Sequence, residues 1–488
     1  IPLEMIQGDH WWVPFIDGAP RLKKPPFLYW LGRASFETFG PTLWAGRALT
    51  VAFALLLLGC TAWLGKRLQG AWSTGLLAAG VLLGMMGMAS ESRRLMLDVP
   101  VAALSVAAFC AYLSWTYRPR PGVLLLSAAC LSAALLTKGP MALVACGSGL
   151  LALWWSRPDL RRQALLRWPQ HILAGVLALA LPAIWFIYVK HHYAEQLAKA
   201  AQDELEARQL SHLSADPLVG ILTLALPWTL VGLYAAWRHR REASAKLLTL
   251  WLLISLAPFF FITTFSRYLI GSLPALALLT AIGLEQGVPA WTRRLGSLIP
   301  VVLCALLALL LWRWQLDGWL FLALATLAFL VLWWRQGSSP ATVALSAALL
   351  WMVAWGIAFP HLGVNAVAPE AVALAKDKPV VLFAGPQPAL LPILAQRPLR
   401  QTSQLTAELA APGTVIAFRA EDQAALAEQL RALQRKAVPR LEYQSLTSAG
   451  SGVRFAREGA RGEDWQAAWD QRSPAPLMST VKLWEVLP

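Results

Sequence analysis

Charge is scarce in this 488-residue chain: Asp, Glu, Lys and Arg make up 14% of it, against 57% hydrophobic residues. That ratio excludes an ordinary soluble domain, whose exterior must be charged and mixed. Acids are scarcer than bases, 27 against 42, which leaves a formal net charge of +15. Cysteine is thin as well. The five present, Cys60, Cys110, Cys130, Cys146 and Cys304, all lie in apolar stretches, and an odd number without a CxxC spacing argues against a disulfide framework or a cysteine metal cluster. His191 and His192 have no partner at metal-ligand spacing and read as interface residues.

What the chain has in excess is apolar runs of bilayer length, with a mean hydropathy of +0.52. The runs predict spans near 43–64, 71–89, 99–116, 121–137, 140–156, 168–189, 217–237, 246–263, 267–285, 295–312, 316–334 and 341–359. The expectation is a polytopic α-helical membrane protein of about twelve spans over residues 1–360. In such a chain the basic excess records loop orientation and contact with membrane lipid, and nucleic acid is not expected as a partner.

Alternate loops carry almost purely basic residues: Lys66/Arg67, Arg118/Arg120, the arginines of 157–167, Arg238/Arg240/Arg241, Arg293/Arg294 and Arg335. The positive-inside rule makes those loops cytoplasmic. Segment 1–40, residues 90–98, Lys138-Gly139, segment 190–216, residues 263–266 and everything after 360 then share the outer face. After 360 the pattern changes to short apolar strands, near 380–384, 413–418 and 481–487, with a helix near 421–435. Residues 361–488 are therefore expected to form a small extracytoplasmic α/β domain. Segment 191–216 has helical spacing, with Leu197, Leu205 and Leu210 among many charges including Arg208, and reads as an amphipathic helix on the outer interface, either a lid or a cover.

Charges at the outer ends of spans are costly unless used or paired, so they are the candidates for chemistry. Lys23 and Lys24 precede Pro25-Pro26, which stiffens the backbone and presents both ammonium groups on an elbow. On the outer face a positive-inside anchor is not expected there, which favours a phosphate ligand. Asp98 reads as a helix N-cap before Pro100 or as a carboxylate orienting a sugar or a basic partner, with Arg93 or Arg94 nearby, and both roles can hold together. Lys138 before Gly139 either compensates a helix dipole or is a second phosphate ligand. Arg267-Tyr268 is either an interfacial anchor or a fork and a hydroxyl on one phosphate. Lys24, Asp98, Lys138 and Arg267 come from four distant segments, and charge-derived topology puts all four at one face.

Read together, Glu4-Met-Ile-Gln-Gly-Asp-His-Trp-Trp-Val-Pro14, Lys24-Pro-Pro-Phe-Leu-Tyr-Trp30, Leu97-Asp98, Leu136-Thr-Lys-Gly139 and Phe265-Ser-Arg-Tyr-Leu269 resemble, in order and spacing, the polyprenyl-phosphate-dependent glycosyltransferases. These are the aminoarabinose lipid A transferases and their protein O-mannosyltransferase relatives in the C-type glycosyltransferase superfamily. The resemblance implies thirteen spans, a periplasmic C-terminal domain, an active site facing the periplasm of a bacterial inner membrane, a polyprenyl-phosphate-linked sugar as donor, and lipid A or another envelope acceptor. It implies Lys24 as a donor-phosphate ligand, Asp98 as the second outer-loop carboxylate with a catalytic part, and Lys138, Arg267 and Tyr268 as supporting positions, which the residue reading puts on the same phosphate; Lys23 and Arg94 are expected in support from their place beside these residues. It also implies a main catalytic Asp upstream of Ile1, in a segment preceding this sequence. Where the aminoarabinose transferases carry Glu-Lys-Pro, this chain has Lys23-Lys24-Pro25, which removes a carboxylate and leaves the need for a divalent metal, and the sugar, open. The rival function is a transporter or lipid flippase, which favours charges at the bilayer midplane and repeated halves. No internal repeat is visible in the sequence.

Overall fold

The computed structural model describes residues 1–207, 213–336, 339–446 and 456–488. All twelve predicted apolar stretches are helical, but they are not twelve full spans. Among the described residues eight helices are long and apolar enough to cross a membrane, or nine if one bent pair is a single span. Three more, Trp72–Leu83, Met141–Ser156 and Trp319–Arg335, are apolar but shorter. The stretch 71–89 divides because its helix ends at Leu83 and a new one starts at Met86. The stretch 217–237 divides into Asp216–Leu224 and Thr229–Arg238, bent by 106°. Hydropathy sees the apolar run but not the break within it.

Small residues set how closely these helices approach, since hydrocarbon gives no hydrophobic force between them. The hairpin of Leu43–Gln69 and Trp72–Leu83 is the clearest case. A Cβ added at Gly75 would lie 2.1 Å from the Ala62 carbonyl oxygen, and one added at Gly65 would lie 2.5 Å from Gly75 Cα. The two most enclosed spans are Ser266–Gln286, 89% buried, and Asp98–Tyr117, 83% buried, whereas Trp168–His192 is 17% buried and runs along the periphery. The N-terminal ends of the two enclosed spans carry Arg267-Tyr268 and Asp98, so these candidate charges rest on the most enclosed part of the bundle.

The C-terminal region is a five-stranded mixed sheet ordered 400–402, 380–383, 415–419, 479–486, 437–445. The first three strands are parallel, and 479–486 is antiparallel to both its neighbours. Alternate residues serve opposite faces. Leu382, Val415 and Ala417 pack with Ala371 and Ala375 of helix Pro369–Asp377, while Val381, Ile416 and Phe418 pack with Leu426 and Leu430 of helix Gln423–Ala432. The three predicted strands and the helix are present. Strands Arg400–Thr402 and Ala437–Ser445 were not predicted, because one is three residues long and polar and the other contains Pro439 and alternating charges, as edge strands do.

This domain sits over the end of the bundle that holds Asp98 and Arg267. Gln401 N–H donates to Asp17 Oδ1 at 3.3 Å, tying an edge strand to the segment before the first span. Trp465 and Trp469 of helix Gly462–Asp470 face bundle residues across a shared cavity, and the Arg313 guanidinium lies 5.0 Å from the Trp469 ring.

Candidate functional site

Four segments converge on one cavity of about 370 Å³ whose walls include Lys24, Asp98, Lys138, Arg267 and Tyr268. Lys24 arrives on the Pro25-Pro26 elbow that begins helix Phe27–Phe39. Asp98 is the first residue of its helix and Leu97 is the N-cap, so the capping expectation is corrected, while the expectation of a carboxylate beside basic partners matches its geometry with Lys138 and Arg267. Lys138 is the last residue of helix Pro121–Lys138, which stops because Gly139 takes φ +56, in the left-handed region that glycine enters without strain. Arg267 and Tyr268 lie in a 3₁₀ turn, Ser266–Ser272, that leads into the enclosed span. The tighter turn is a common way to start a helix where side chains must be aimed.

Asp98 ties the cluster together. It accepts a hydrogen bond from Lys138 Nζ, and Arg267 Nε lies 3.4 Å from its other oxygen, within ion-pair reach but without hydrogen-bond geometry. Asp98 and Lys138 are each about 3% exposed in their side chains, so both charges need partners, and Asp98 is the carboxylate paired with Lys138. Lys138 Nζ also stands 3.6 Å from the centroid of the Tyr268 ring, a cation–π contact that fixes the ammonium from the opposite side. The Arg267 guanidinium lies 4.4 Å from the Phe265 ring.

Two wall residues escaped the sequence reading. Arg21 and Tyr29 also line the cavity, Arg21 with a buried Nε that no described group accepts, and burial raises the Tyr29 hydroxyl above its ordinary pKa. Arg21 stood three residues before Lys24 in the same basic stretch, which was the available signal. Four basic side chains, Arg21, Lys24, Lys138 and Arg267, thus face one carboxylate among the described lining residues. Such an excess of fixed donors suits an anion with several oxygens.

Lys23 and Arg94 are not part of this cavity. Lys23 lies outside it, 2.7 Å from Asp203. Arg94 faces the neighbouring cavity and pairs with the buried Glu91 at 3.7 Å, and burial raises the Glu91 carboxyl, with Arg94 opposing. That neighbour is larger, about 880 Å³, and mostly apolar, walled by Leu306, Leu310, Trp351 and Trp355 and closed by Trp465 and Trp469. Arg267 lines both cavities and stands at their junction.

The amphipathic segment forms a helix, Ala194–Ala207, with none of its residues fully buried. Leu197 and Ala200 rest against the cluster of Val13, Leu22 and Trp185, while Leu205 is exposed. Lys24 Nζ donates to Glu204 at 2.7 Å. Arg208 and Leu210 lie outside the described residues. No three His, Cys, Asp or Glu side chains gather as a metal site among the described residues.

Comparison with known proteins adds three findings. Residues 3–197 match the family described as dolichyl-phosphate-mannose-protein mannosyltransferase. The chain is 30% identical over 312 residues to undecaprenyl phosphate-alpha-4-amino-4-deoxy-L-arabinose arabinosyl transferase 2 of Sodalis glossinidius, covering 58% of this chain and 53% of that one. It is 29% identical over 282 residues to transferase 1 of Pseudomonas fluorescens, covering 53% and 47%. The chain thus spans about half the length of these curated relatives. The fold is shared with the crystal structure of ArnT from Cupriavidus metallidurans bound to undecaprenyl phosphate, at a TM-score of 0.71 and 20% identity, covering 99% of this chain and 92% of that one.

Proposed function

We propose that this chain, a membrane protein of the C-type glycosyltransferase architecture similar to the aminoarabinosyl transferases, moves a sugar from a polyprenyl phosphate to lipid A or another envelope acceptor. The observation that carries the reading is the single cavity in which Lys24, Lys138, Arg267 and Tyr268 surround Asp98. The matched family and relatives are transferases, so a transporter or flippase is not favoured. The basic loops at the opposite end of the bundle support an active site and C-terminal domain on the periplasmic face of a bacterial inner membrane.

In this reading the bond between the anomeric carbon and the phosphate oxygen breaks, and its electron pair stays on the phosphate. Lys24, Lys138 and Arg267 stabilise that growing charge, and they do so without reorganising because the protein has already fixed them. Asp98 is engaged by two of these cations, so its part is to hold Lys138 and Arg267 in place. A hydroxyl acceptor requires a carboxylate to take its proton, whereas an acceptor phosphate does not. Single displacement inverts the anomeric centre. The apolar cavity beyond Arg267 suits the hydrocarbon of a lipid-linked substrate, with its head group at the polar junction.

Mass spectrometry of lipid A and envelope glycans, from cells with and without the full-length gene, tests the reading. A glycan present only with the gene, and lowered roughly 10²–10³-fold by Lys24→Ala, is the expected result. No change in any glycoconjugate would overturn it.

A further inference from the structure

Glu91 is a carboxylate that the transfer chemistry leaves unused. It ends the short helix Met86–Glu91, its side chain is about 3% exposed, and it lines the larger chamber. A carboxylate buried to that degree needs hydrogen donors. Oε2 receives none from the described residues, and the 3.7 Å separation from Arg94 is an ion pair too long for a hydrogen bond. Burial raises its carboxyl above the ordinary value, and Arg94 opposes that only in part. The same end of the chamber holds two guanidiniums, those of Arg94 and Arg267. Its long wall is hydrocarbon. Leu306 and Leu309 of helix Ala290–Arg313 line it and are about half exposed, so the chamber is open along that wall rather than sealed. Two cations beside one under-donated carboxylate, at the head of an apolar chamber, complement a lipid head group that holds an anion and a donor side by side.

We propose that the larger chamber binds a phospholipid whose head group carries a primary ammonium beside its phosphate, with the phosphate on Arg94 and Arg267 and the ammonium on Glu91. An ammonium suits Glu91 better than a hydroxyl does, because it brings the buried carboxylate an opposite charge as well as hydrogens. This assignment rests on the reading of the chamber as a lipid-substrate site, and it names the head group that the acceptor presents. Glu91 is then a specificity residue, set apart from the cavity that takes the donor phosphate.

The test uses the full-length protein in detergent, with dioleoyl lipids titrated and bound copies counted by native mass spectrometry. Phosphatidylethanolamine and phosphatidylcholine carry the same net charge and differ in whether the head group has N–H donors. The wild type should bind the ethanolamine lipid roughly tenfold or more the tighter. Glu91→Gln, which keeps the shape and removes the charge, should cut that preference to below about threefold. Leu306→Trp combined with Leu310→Trp fills the chamber and should erase it. Equal affinity of the wild type for both lipids overturns the proposal, as does a preference that survives Glu91→Gln or the filled chamber. Phosphatidylglycerol bound as tightly as the ethanolamine lipid overturns the ammonium in favour of a hydroxyl. Lys24→Ala lies outside the chamber and should keep the preference while binding undecaprenyl phosphate weakly. If Lys24→Ala binds undecaprenyl phosphate as the wild type does, the donor-site reading falls and takes the acceptor role with it. If Lys24→Ala behaves as expected and the wild type shows no ethanolamine preference, the head-group assignment alone falls.

Discussion

Two sets of ion pairs, one lining the cation cavity and one reaching it only through Lys24, differ in almost every physical respect. Asp98 with Lys138 and Arg267 is enclosed by the two most buried spans, whereas Lys23–Asp203 and Lys24–Glu204 lie on the rim, with side chains 19–44% exposed. Desolvation makes an inner charge expensive to leave alone, so each inner partner depends on the others. Water and salt do most of that work at the rim. The inner set therefore fixes geometry, and the outer set can change hands.

The largest effect should come from breaking the inner set on one side. Asp98→Ala leaves Lys138 and Arg267 without their shared carboxylate, and a loss of about 3–5 kcal/mol in stability is expected, read as a large fall in the melting midpoint of the detergent-solubilised protein. The paired change Asp98→Leu with Lys138→Met removes both charges and should keep most of the stability while abolishing sugar transfer. If the double variant stays active, the inner set is only a brace. Next in size is Gly75→Leu, remote from both sets. Its side chain must enter the backbone of the facing helix, so poor folding is expected in expression and melting assays, with no rescue by lipid.

Rim changes come lower. Lys23→Ala should change stability by less than about 1 kcal/mol and leave transfer near wild type, in contrast to Lys24→Ala at the next residue, which should lose transfer without losing stability. The smallest effect is that of pH. Lys23 holds the Asp203 carboxyl below its ordinary range, so this pairing contributes above the unfolded carboxylate value and is lost as pH falls through the lower folded one. Protection of 194–207 should be flat from about pH 6 to 8 and fall only in acid below the usual Asp value, as hydrogen exchange corrected for intrinsic rates would register.

Much of this was legible in the residues. Twelve apolar runs became helices, and Lys24, Asp98, Lys138 and Arg267 could be gathered from loop charge alone, because a charge at the end of a hydrophobic run has few places to go. Partners across space were not legible. Asp98 could be a cap or the carboxylate of a basic partner, because Asp before Pro also suits a helix start, and only the fold shows that the partner is Lys138, arriving from 40 residues away. Asp203 and Glu204 were visible as charges on an amphipathic segment, but nothing local tied them to the elbow. Lys23 and Arg94 shared the neighbourhood of the site residues in sequence but do not line the cation cavity, since Lys23 turns outward to Asp203 and Arg94 lines the larger cavity beside Glu91, with Arg267 between the two. The bend near residues 225–228 was hidden because an apolar composition is the same whether a helix runs through it or folds back.

Backbone meeting backbone at Gly65 and Gly75 leaves no side chain between those helices to slide or rotate. The hairpin they form behaves as a single beam. Any rearrangement that admits a bulky hydrocarbon then falls to pieces such as the short helix Met86–Glu91 and the bent segment that begins with Asp216–Leu224, both of which contribute walls to the larger chamber at Arg267.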